Sequence, residues 1–373
     1  MPQMGPCATS TCLLALLAAV VAALVPWVAH VELHPGEADD CMLRPLCSSH
    51  PTLVKGLMCL LFRYPVDVDR GDYKQQVLVR LRRLTQRSLK GQRHVVEGVT
   101  RSLAAKLENP DKPLVLHFAG DNGVGKTTLA QLISLALGLR CRDAACTTGD
   151  STLVLSGVSY DGYSAQEFRR VVVPRIVQHA LRFPKNGVVI VNDLGALHPD
   201  LVRVLLPLLG RAPSFPEAPG VPLGRLFVIV TTDFGRQGRT QGKSLAEMRR
   251  LVEEDFKSLY SQLSSSMIET FPFLPAALDT AKEIVRLTIL DYKCRHGEAI
   301  RELRVSEDAV LWFVDLVRDD LPVENGRCVA QAVSALVGPG ILRHLPDNPS
   351  ALVSLYVDID DNGSVAVLPL PAR

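Results

Sequence analysis

The sequence predicts an α/β protein: a mostly parallel sheet covered by helices, followed by a smaller, mainly helical domain that ends in a β-hairpin. Three observations indicate this fold class. Between residues 114 and 230, apolar strand-like runs alternate with helical patterns, as they do in parallel sheets. Beyond residue 275 the apolar spacing is helical. Finally, Asn362-Gly363 lies between two alternating apolar segments, which is typical of a hairpin turn.

The elements follow in order from the apolar spacing and from the breaks between segments. Asn109-Pro-Asp-Lys-Pro113 is such a break, and two amphipathic helices, 73–89 and 95–107, precede it. The strands predicted after it are 114–118, 188–191 and 226–230. The predicted helices begin after Lys126 and then span 165–181, 199–209, 276–296, 306–319 and 326–337. Residues 352–358 and 364–368 form the predicted hairpin.

The first thirty residues differ in composition from the rest of the chain and are predicted to be a targeting segment. From Cys12 to Val25 every residue is apolar, and no acidic or basic residue other than His30 precedes Glu32. We expect residues 1–30 to be a cleaved signal peptide or an uncleaved membrane anchor built on residues 12–29. A buried core helix and a wrongly assigned start are the remaining alternatives. Both leading interpretations place the protein in the endoplasmic reticulum lumen or on the lumenal face of the secretory pathway.

The remainder of the chain divides into three predicted segments. Residues 31–87 form a connector and a helix, residues 88–275 the large α/β domain, and residues 276–373 the small C-terminal domain. The formal net charge of +2 argues against nucleic acid as a partner. An oxidising lumen would allow Cys41 and Cys47 to close a small disulfide loop. We interpret the cysteines further along the chain as buried thiols: Cys59, Cys141, Cys146, Cys294 and Cys328.

A glycine-rich loop follows the first predicted strand of the large domain. The segment Gly120-Asp-Asn-Gly-Val-Gly125-Lys126-Thr127 leads from that strand into a helix, which is the context of a P-loop. Its glycines would let backbone N–H groups surround phosphate oxygens, while Lys126 neutralises the β- and γ-phosphates and Thr127 ligates Mg²⁺. The sequence therefore predicts ATP and Mg²⁺ as cofactors. The expected nucleotide-binding residues of this loop are Gly120, Asp121, Asn122, Gly123, Val124, Gly125, Lys126, Thr127 and Thr128.

An acidic motif follows the apolar strand 188–191. Asn192-Asp193 occupies the place of a Walker B motif, which has one acid near Mg²⁺ and a Glu that polarises water. We expect Asp193 to join Thr127 in the Mg²⁺ shell. A buried strand with a polar cap is the alternative, but it leaves the following His198-Pro199-Asp200 unexplained.

These motifs together resemble one clade of AAA+ proteins, the Clp-type unfoldases and the torsins. Four further segments are similar to the clade in the same order: Leu89-Lys-Gly-Gln92, Lys112-Pro-Leu-Val-Leu116, Val228-Ile-Val-Thr231-Thr232-Asp233-Phe-Gly235 and Phe271-Pro-Phe-Leu-Pro275. The end of the chain, with Gly338-Pro339 and the hairpin, resembles Clp proteins. The predicted lumenal location is a feature of torsins. The resemblance covers roughly residues 88 to 370 and implies an AAA+ fold with ATP-dependent remodelling of proteins.

The chain departs from the pattern of this clade at the strand ends. Asn192 replaces the Walker B Asp and Asp193 replaces the catalytic Glu. Shifting the alignment by one makes Asp193 the metal-shell acid and puts Leu194 at the Glu position. At the sensor 1 position, Asp233 replaces the usual Asn. One hypothesis is an exchange of roles, in which Asp233 faces Mg²⁺ and Asn192 orients water; the alternative is drift in a protein that binds ATP without hydrolysing it.

Two arginine positions of the clade also differ. Ser266 aligns with the arginine finger, and Arg327 stands one place early for the basic residue of sensor 2, where we expect it to contact nucleotide. Because an arginine finger accelerates phosphoryl transfer strongly, unaided hydrolysis should be slow or absent. The resemblance to torsins implies a membrane-anchored partner that supplies the arginine in trans.

A tyrosine-containing turn lies between the P-loop and the Walker B position. Ser159-Tyr160-Asp-Gly162-Tyr163 resembles the pore loop with which Clp rings grip polypeptide substrates, and the alternative is a turn whose tyrosines pack on a neighbouring helix. The pore-loop interpretation predicts protein clients and a homo-oligomeric ring or filament. The leading functional hypothesis is thus a slow or partner-activated ATPase of the secretory pathway. The alternative is a nucleotide-gated binding or assembly protein that does not hydrolyse ATP.

Overall fold

A computed structural model describes residues 70–138, 147–233, 240, 242–259, 268–297, 299–346 and 351–370. All of them belong to one compact unit, Leu43–Arg373. The helices are α1 (Arg70–Ser88), α2 (Arg93–Glu108), α3 (Lys126–Leu137), α4 (Ala165–Arg182), α5 (Pro199–Val204), α6 (Leu245–Leu259), α7 (Leu278–Arg295), α8 (Glu307–Leu316), α9 (Leu321–Glu324) and α10 (Gly326–His344). Short helical turns span Gly157–Tyr160, Leu194–Ala196, Pro207–Arg211 and Leu223–Arg225.

The larger of two sheets has five parallel strands. They are β1 (Leu114–Gly120), β2 (Thr152–Ser156), β3 (Val188–Asn192), β4 (Phe227–Asp233) and β5 (Glu269–Pro272), in the spatial order β2-β3-β4-β1-β5. The strand that leads into the glycine-rich loop therefore lies inside the sheet. Its last residue, Gly120, pairs with Asp233 at the end of β4. This register brings the sensor 1 position beside the loop.

Side chains from alternate positions of each strand pack on opposite faces of this sheet, as the two-residue period of a strand requires. In β3, Val189 and Val191 join a core that includes Phe168 of α4. Val188 and Ile190 join a second core, which includes side chains of α1, α2 and α3. Both faces are thus covered by helices, which explains why the central strands are mostly apolar before their polar C-terminal ends, with His117 of β1 as an exception. The predicted α/β fold class is confirmed, and the architecture is that of a P-loop-like domain.

The smaller sheet has three strands, β6 (Ile300–Val305), β7 (Val353–Ile359) and β8 (Val365–Pro369). Strands β7 and β8 form the predicted antiparallel hairpin, and β6 pairs with β7 in parallel. Helices α7, α8 and α10 contribute Val285, Phe313 and Val333 to one core with these strands. The C-terminal part therefore contains the expected helices and hairpin, together with one strand that the sequence pattern did not indicate. The predicted boundary between residues 275 and 276 stays a prediction.

Three strands were missed by the sequence analysis, and each has a physical reason. Strand β2 lies at the edge of the sheet and begins and ends with a hydroxyl residue, β5 includes Pro272, and β6 interrupts its alternation with the adjacent charged residues Arg301 and Glu302. The predicted helix 199–209 is shorter: α5 ends at Val204, and the next turn begins at Pro207. Proline accounts for this interruption because it cannot donate the backbone hydrogen bond of a continuing helix.

Several predictions concern residues outside the described ranges. They include the targeting segment, the pair Cys41 and Cys47, the thiols of Cys59, Cys141 and Cys146, and Ser266. Within the described ranges, no helix is both long enough and apolar enough to cross a membrane. Cys328 is a buried free thiol, as expected. Cys294 is disulfide-bonded, which corrects the expectation of a free thiol at that position.

Candidate functional site

The glycine-rich loop forms the short connection between β1, which ends at Gly120, and α3, which begins at Lys126. Gly123 and Gly125 have φ angles of +71° and +101°, a region that side-chain-bearing residues rarely adopt. The backbone therefore requires glycine at both positions. The loop runs directly into the N-terminus of a twelve-residue helix, where backbone N–H groups and the helix dipole favour an anion.

The outer side of the loop packs directly against the start of α10. The Nδ2 of Asn325 donates to the backbone oxygen of Asn122 over 2.9 Å, and the backbone N–H of Gly326 donates to the oxygen of Gly123 over 3.2 Å. A Cβ atom on Gly123 would lie 2.0 Å from the backbone oxygen of Glu324. The loop is thus held from outside by the C-terminal part of the chain.

Asn325 is a residue of this site that the sequence analysis missed. It is fully buried, and its Oδ1 accepts a 2.8 Å hydrogen bond from the backbone N–H of Ala276. Its φ of +49° is uncommon for a residue other than glycine, and its ψ of −133° puts it outside the left-handed helical region. An Asn directly before Gly326 is a weak signal for such a conformation, but nothing in the sequence indicates that its side chain bridges two segments.

Lys126 is the most enclosed charge of the site, with a side chain only 6% exposed. Its Nζ donates to the backbone oxygens of Gly120 and Asp121 over 2.9 and 2.6 Å, and lies 2.5 Å from Oδ1 of Asp233. Burial lowers the pKa of Lys126, while the neighbouring carboxylates, that of Asp233 first, oppose this shift. The sequence motif places Lys126 at the loop, and the structure adds its ion pair with the sensor 1 acid.

Asp193 follows β3 in an unusual conformation, with a φ of +55°. Its backbone N–H donates to the Oγ1 of the fully buried Thr231 over 3.0 Å, so β4 fixes the turn. Burial raises the pKa of the Asp193 carboxyl, and the carboxylate of Asp233 raises it further, whereas Lys126 and Arg327 lower it. Asp193 and Asp233 therefore lie close enough to repel each other. Thr231 belongs to the sensor 1 segment, but the sequence analysis assigned it no role in the site.

Asp121 adds a third carboxylate next to Lys126. Its side chain is mostly buried and accepts a hydrogen bond from the Oγ1 of Thr240. Burial raises the pKa of Asp121; the charge of Lys126 lowers it, and that of Asp233 raises it. The structure thus brings together the three acids Asp121, Asp193 and Asp233 around one lysine.

His117, in the middle of β1, lies beneath this cluster and is fully buried. Its Nε2 is 2.7 Å from the Oγ1 of Thr232, and its Nδ1 is 3.1 Å from the Oγ1 of Thr270. Burial, together with the charge of Lys126, lowers the pKa of His117 to about 3. The imidazole is therefore neutral at physiological pH and links β1 to both of its neighbouring strands.

The oxygens available at the strand ends fit Mg²⁺, which is bound in nucleotide sites by one or two protein oxygens together with phosphates and waters. The Oδ1 of Asn192 is buried and has no hydrogen-bond partner among the described residues. The Thr127 hydroxyl at the exposed start of α3 and the Asp193 carboxylate complete an all-oxygen donor set. Within the described ranges, no cluster of three or more His, Cys, Asp or Glu residues offers a metal site of its own.

Arg327 lies at the edge of the site, in the first turn of α10. Its side chain is 52% exposed and lies 3.6 Å from Glu324. Its charge is near enough to Asp193 to lower the pKa of that carboxyl. The arginine therefore belongs to the same electrostatic environment as the P-loop acids.

The two tyrosines of the predicted pore loop differ in exposure. Tyr160 is buried, stacks edge-on against Phe168, and accepts a 2.9 Å hydrogen bond from Arg175. Tyr163 packs edge-on against Tyr160 but is 41% exposed. Val158, in the same turn, is 62% exposed. The burial of Tyr160 agrees with the alternative of a packed turn at that position, and a gripping role for the segment stays a prediction.

Comparison with known proteins gives a distant similarity to an AAA+ chaperone. Over 208 residues the chain is 24% identical to the chaperone protein ClpB of Mycoplasmoides gallisepticum, strain R(low / passage 15 / clone 2). The match covers 51% of this chain and 28% of that chaperone, so the chain corresponds to a minor part of its length. No protein-family profile matches the chain. Together with the parallel sheet, this similarity supports an AAA+-like P-loop ATPase.

Proposed function

We propose that this chain binds ATP with Mg²⁺ and is a slow or partner-activated AAA+ ATPase of Clp or torsin type that remodels proteins in the secretory pathway. The observation that carries the proposal is the P-loop itself: a parallel strand, two glycines with positive φ angles, and Lys126 at the start of a helix. This arrangement presents backbone N–H groups and one buried cation to a phosphate chain.

Each residue of the site has a role in this proposal. The loop amides and Lys126 hold the phosphates, and Thr127 and Asp193 orient Mg²⁺, whose charge would offset that of the phosphates. Asp193 or Asn192 orients the attacking water. With one carboxylate where the Walker B motif has two, proton transfer is the weak part of this site.

Activation by a partner follows from the serine at the arginine-finger position. Ser266 carries no charge, so we propose that a membrane-anchored protein supplies an arginine in trans, as the resemblance to torsins suggests. A ring or filament of subunits would bring protein clients to the turn that contains Val158 and Tyr163, whose exposed side chains suit contact with extended polypeptide. The chaperone activity named for ClpB supports this class of client.

A lumenal location is part of the same proposal. The apolar run 12–29 supports delivery to the secretory pathway by a signal peptide or an anchor.

A second candidate function is a nucleotide-gated binding or assembly protein without turnover. Two observations favour it: the amide of Asn192 at the Walker B position, and the ion pair that occupies Lys126. In this case ATP binding alone would control the assembly of subunits.

The first experiment measures ATP binding and ATP turnover by the full-length chain, its Lys126→Ala variant, and a Lys185→Ala control at an exposed lysine. We expect Lys126→Ala to weaken ATP binding by about 30-fold or more, since it removes about 2 kcal/mol or more of charge–phosphate interaction. The Lys185→Ala control should bind as the unchanged protein does.

The turnover data then separate the two candidate functions. Hydrolysis that disappears in Lys126→Ala would establish the ATPase. Binding without hydrolysis, with or without added membrane proteins of the secretory pathway, would favour the assembly protein. Equal binding by Lys126→Ala and Lys185→Ala would contradict the P-loop assignment and both functions with it.

A further inference from the structure

The structure places a carboxylate directly on the phosphate-binding lysine. Asp233 ends β4, one strand away from the loop, and its Oδ1 lies 2.5 Å from the Nζ of Lys126. The Lys126 side chain is 6% exposed, whereas that of Asp233 is 37% exposed. The lysine is therefore held in place by the loop, while the aspartate approaches it from the solvent side.

The charges around this pair are unfavourable for a further anion. Asp121 and Asp193 both interact electrostatically with Lys126, and Asp233 repels both of them. Besides Lys126, the charge of Arg327 also lowers the pKa of Asp193, and the Arg327 side chain is about half exposed. Three carboxylates thus surround one buried lysine, and low solvent exposure strengthens their mutual interactions.

The loop and the strand ends contact different parts of a nucleotide's phosphate chain. Loop amides between Gly123 and Lys126 surround the phosphate nearest the helix N-terminus. A terminal third phosphate extends beyond the loop towards the ends of β3 and β4. Asp193 and Asp233 are located at those ends. The negative charges of Asp193 and Asp233 therefore repel the third phosphate far more strongly than the first two.

We propose that Asp233 is a specificity-determining residue that competes with the terminal phosphate for Lys126, so that the site holds a nucleoside diphosphate more tightly than a nucleoside triphosphate. This inference rests on the proposed nucleotide site and names the phosphate chain that it prefers. A diphosphate presents only its β-phosphate to Lys126, so the Asp233 carboxylate can keep its contact with the lysine from the strand-end side. A triphosphate has to displace the Asp233 carboxylate and brings additional negative charge beside Asp193 and Asp233.

The test measures the affinities of the full-length protein for ADP and for a non-hydrolysable ATP analogue, in excess Mg²⁺ and in EDTA. Asp233→Asn keeps the shape of the side chain and removes its charge. We expect it to tighten binding of the triphosphate analogue by about tenfold or more, and of ADP by less than about threefold. The ratio of the two affinities is a quantity that a general change in stability would not alter.

Asp193→Asn is the matched control, because it removes one charge from the same cluster without freeing Lys126. In EDTA, where Asp193 has no Mg²⁺ to ligate, Asp193→Asn should raise the triphosphate affinity less than Asp233→Asn does. Asp233→Ser is a second variant that removes the ion pair with a smaller side chain. Thermal melting would show that each variant is folded.

Four outcomes would overturn the inference. Equal gains for ADP and the triphosphate analogue, or equal effects of Asp193→Asn and Asp233→Asn in EDTA, would mean that total charge alone controls affinity. Weaker triphosphate binding by Asp233→Asn in Mg²⁺, but not in EDTA, would mean that Asp233 ligates the metal. Absence of nucleotide binding by every variant and by the unchanged protein would also overturn the proposed function, and this result is distinct from the other three.

Discussion

The two sides of the proposed nucleotide site differ in how closely they follow the requirements of ATP hydrolysis. On the loop side, glycines with positive φ, Lys126 and the α3 N-terminus are the features that the proposed phosphate binding requires. On the strand-end side, Asn192 stands in the place of one acid and Asp233 is paired with Lys126. The difference teaches that binding and hydrolysis depend on separate parts of the fold, so that one can change while the other is kept.

The largest effect that separates the two sides should come from Gly123→Ala. A Cβ atom at Gly123 would lie 2.0 Å from the backbone oxygen of Glu324, in a residue with a φ of +71°. We expect the free energy of unfolding to fall by about 3 kcal/mol or more and nucleotide binding to be lost, measured by denaturant unfolding and by titration with nucleotide.

The matched control is Gly162→Ala. Gly162 has a similar φ of +76°, but no atom lies within 4 Å of its added Cβ. Its loss should be about 1 kcal/mol, from backbone strain alone. If both variants were equally stable, the close contact between Gly123 and Glu324 would not be needed for folding. The loop side would then tolerate substitution as well as the strand-end side does.

A smaller effect is expected from Asn192→Asp, which would give the strand ends a second carboxylate. The Oδ1 of Asn192 is buried without a hydrogen-bond partner among the described residues, so a charged oxygen there has no competing contact. We expect turnover to rise by about tenfold, because general-base and metal-orienting groups contribute at least this much. A steady-state phosphate-release assay measures it, with Asn362→Asp in the exposed hairpin turn as the control. An unchanged rate would show that the missing arginine, and not Asn192, limits hydrolysis.

The smallest effect concerns stability and pH. The pKa of Asp193 is raised in the folded chain, mainly by burial, so folding favours its protonated form. Its stabilising contribution is present below the unfolded pKa of about 3.9 and is lost as the pH rises through the raised folded value. Asp193→Asn, which also tolerates a φ of +55°, should therefore be more stable than the unchanged chain at pH 7, by less than about 1 kcal/mol.

This gain should disappear as the pH falls towards 4. Thermal melts at pH 4 and pH 7 would measure it, with Asp161→Asn at an exposed position as the control. If Asp193→Asn were less stable than the unchanged chain at pH 7, the Asp193 carboxylate would have a stabilising partner. Its repulsion by Asp233 would then be outweighed by that interaction.

The sequence predicted those parts of the fold whose signal is local. Strands β1, β3 and β4 are long apolar runs because helices cover both faces of the sheet. Three other strands have weaker signals: β2 lies at the edge of the sheet, β5 includes Pro272, and β6 has two adjacent charged residues that interrupt its alternation. At the site, the motif identified Lys126, but its ion pair with Asp233 depends on the register between Gly120 and Asp233. Such a pairing between distant segments has no local signal.

The hydrogen bonds from Asn325 and Gly326 to the loop bear on how far the nucleotide site is a separable module. A protein truncated after Pro275 would retain the whole P-loop motif and all five strands of the large sheet. It would nevertheless lose the donors to the carbonyls of Asn122 and Gly123. In a chimera that receives its C-terminal part from another protein, the donated segment would have to supply an Asn-Gly pair in the same place.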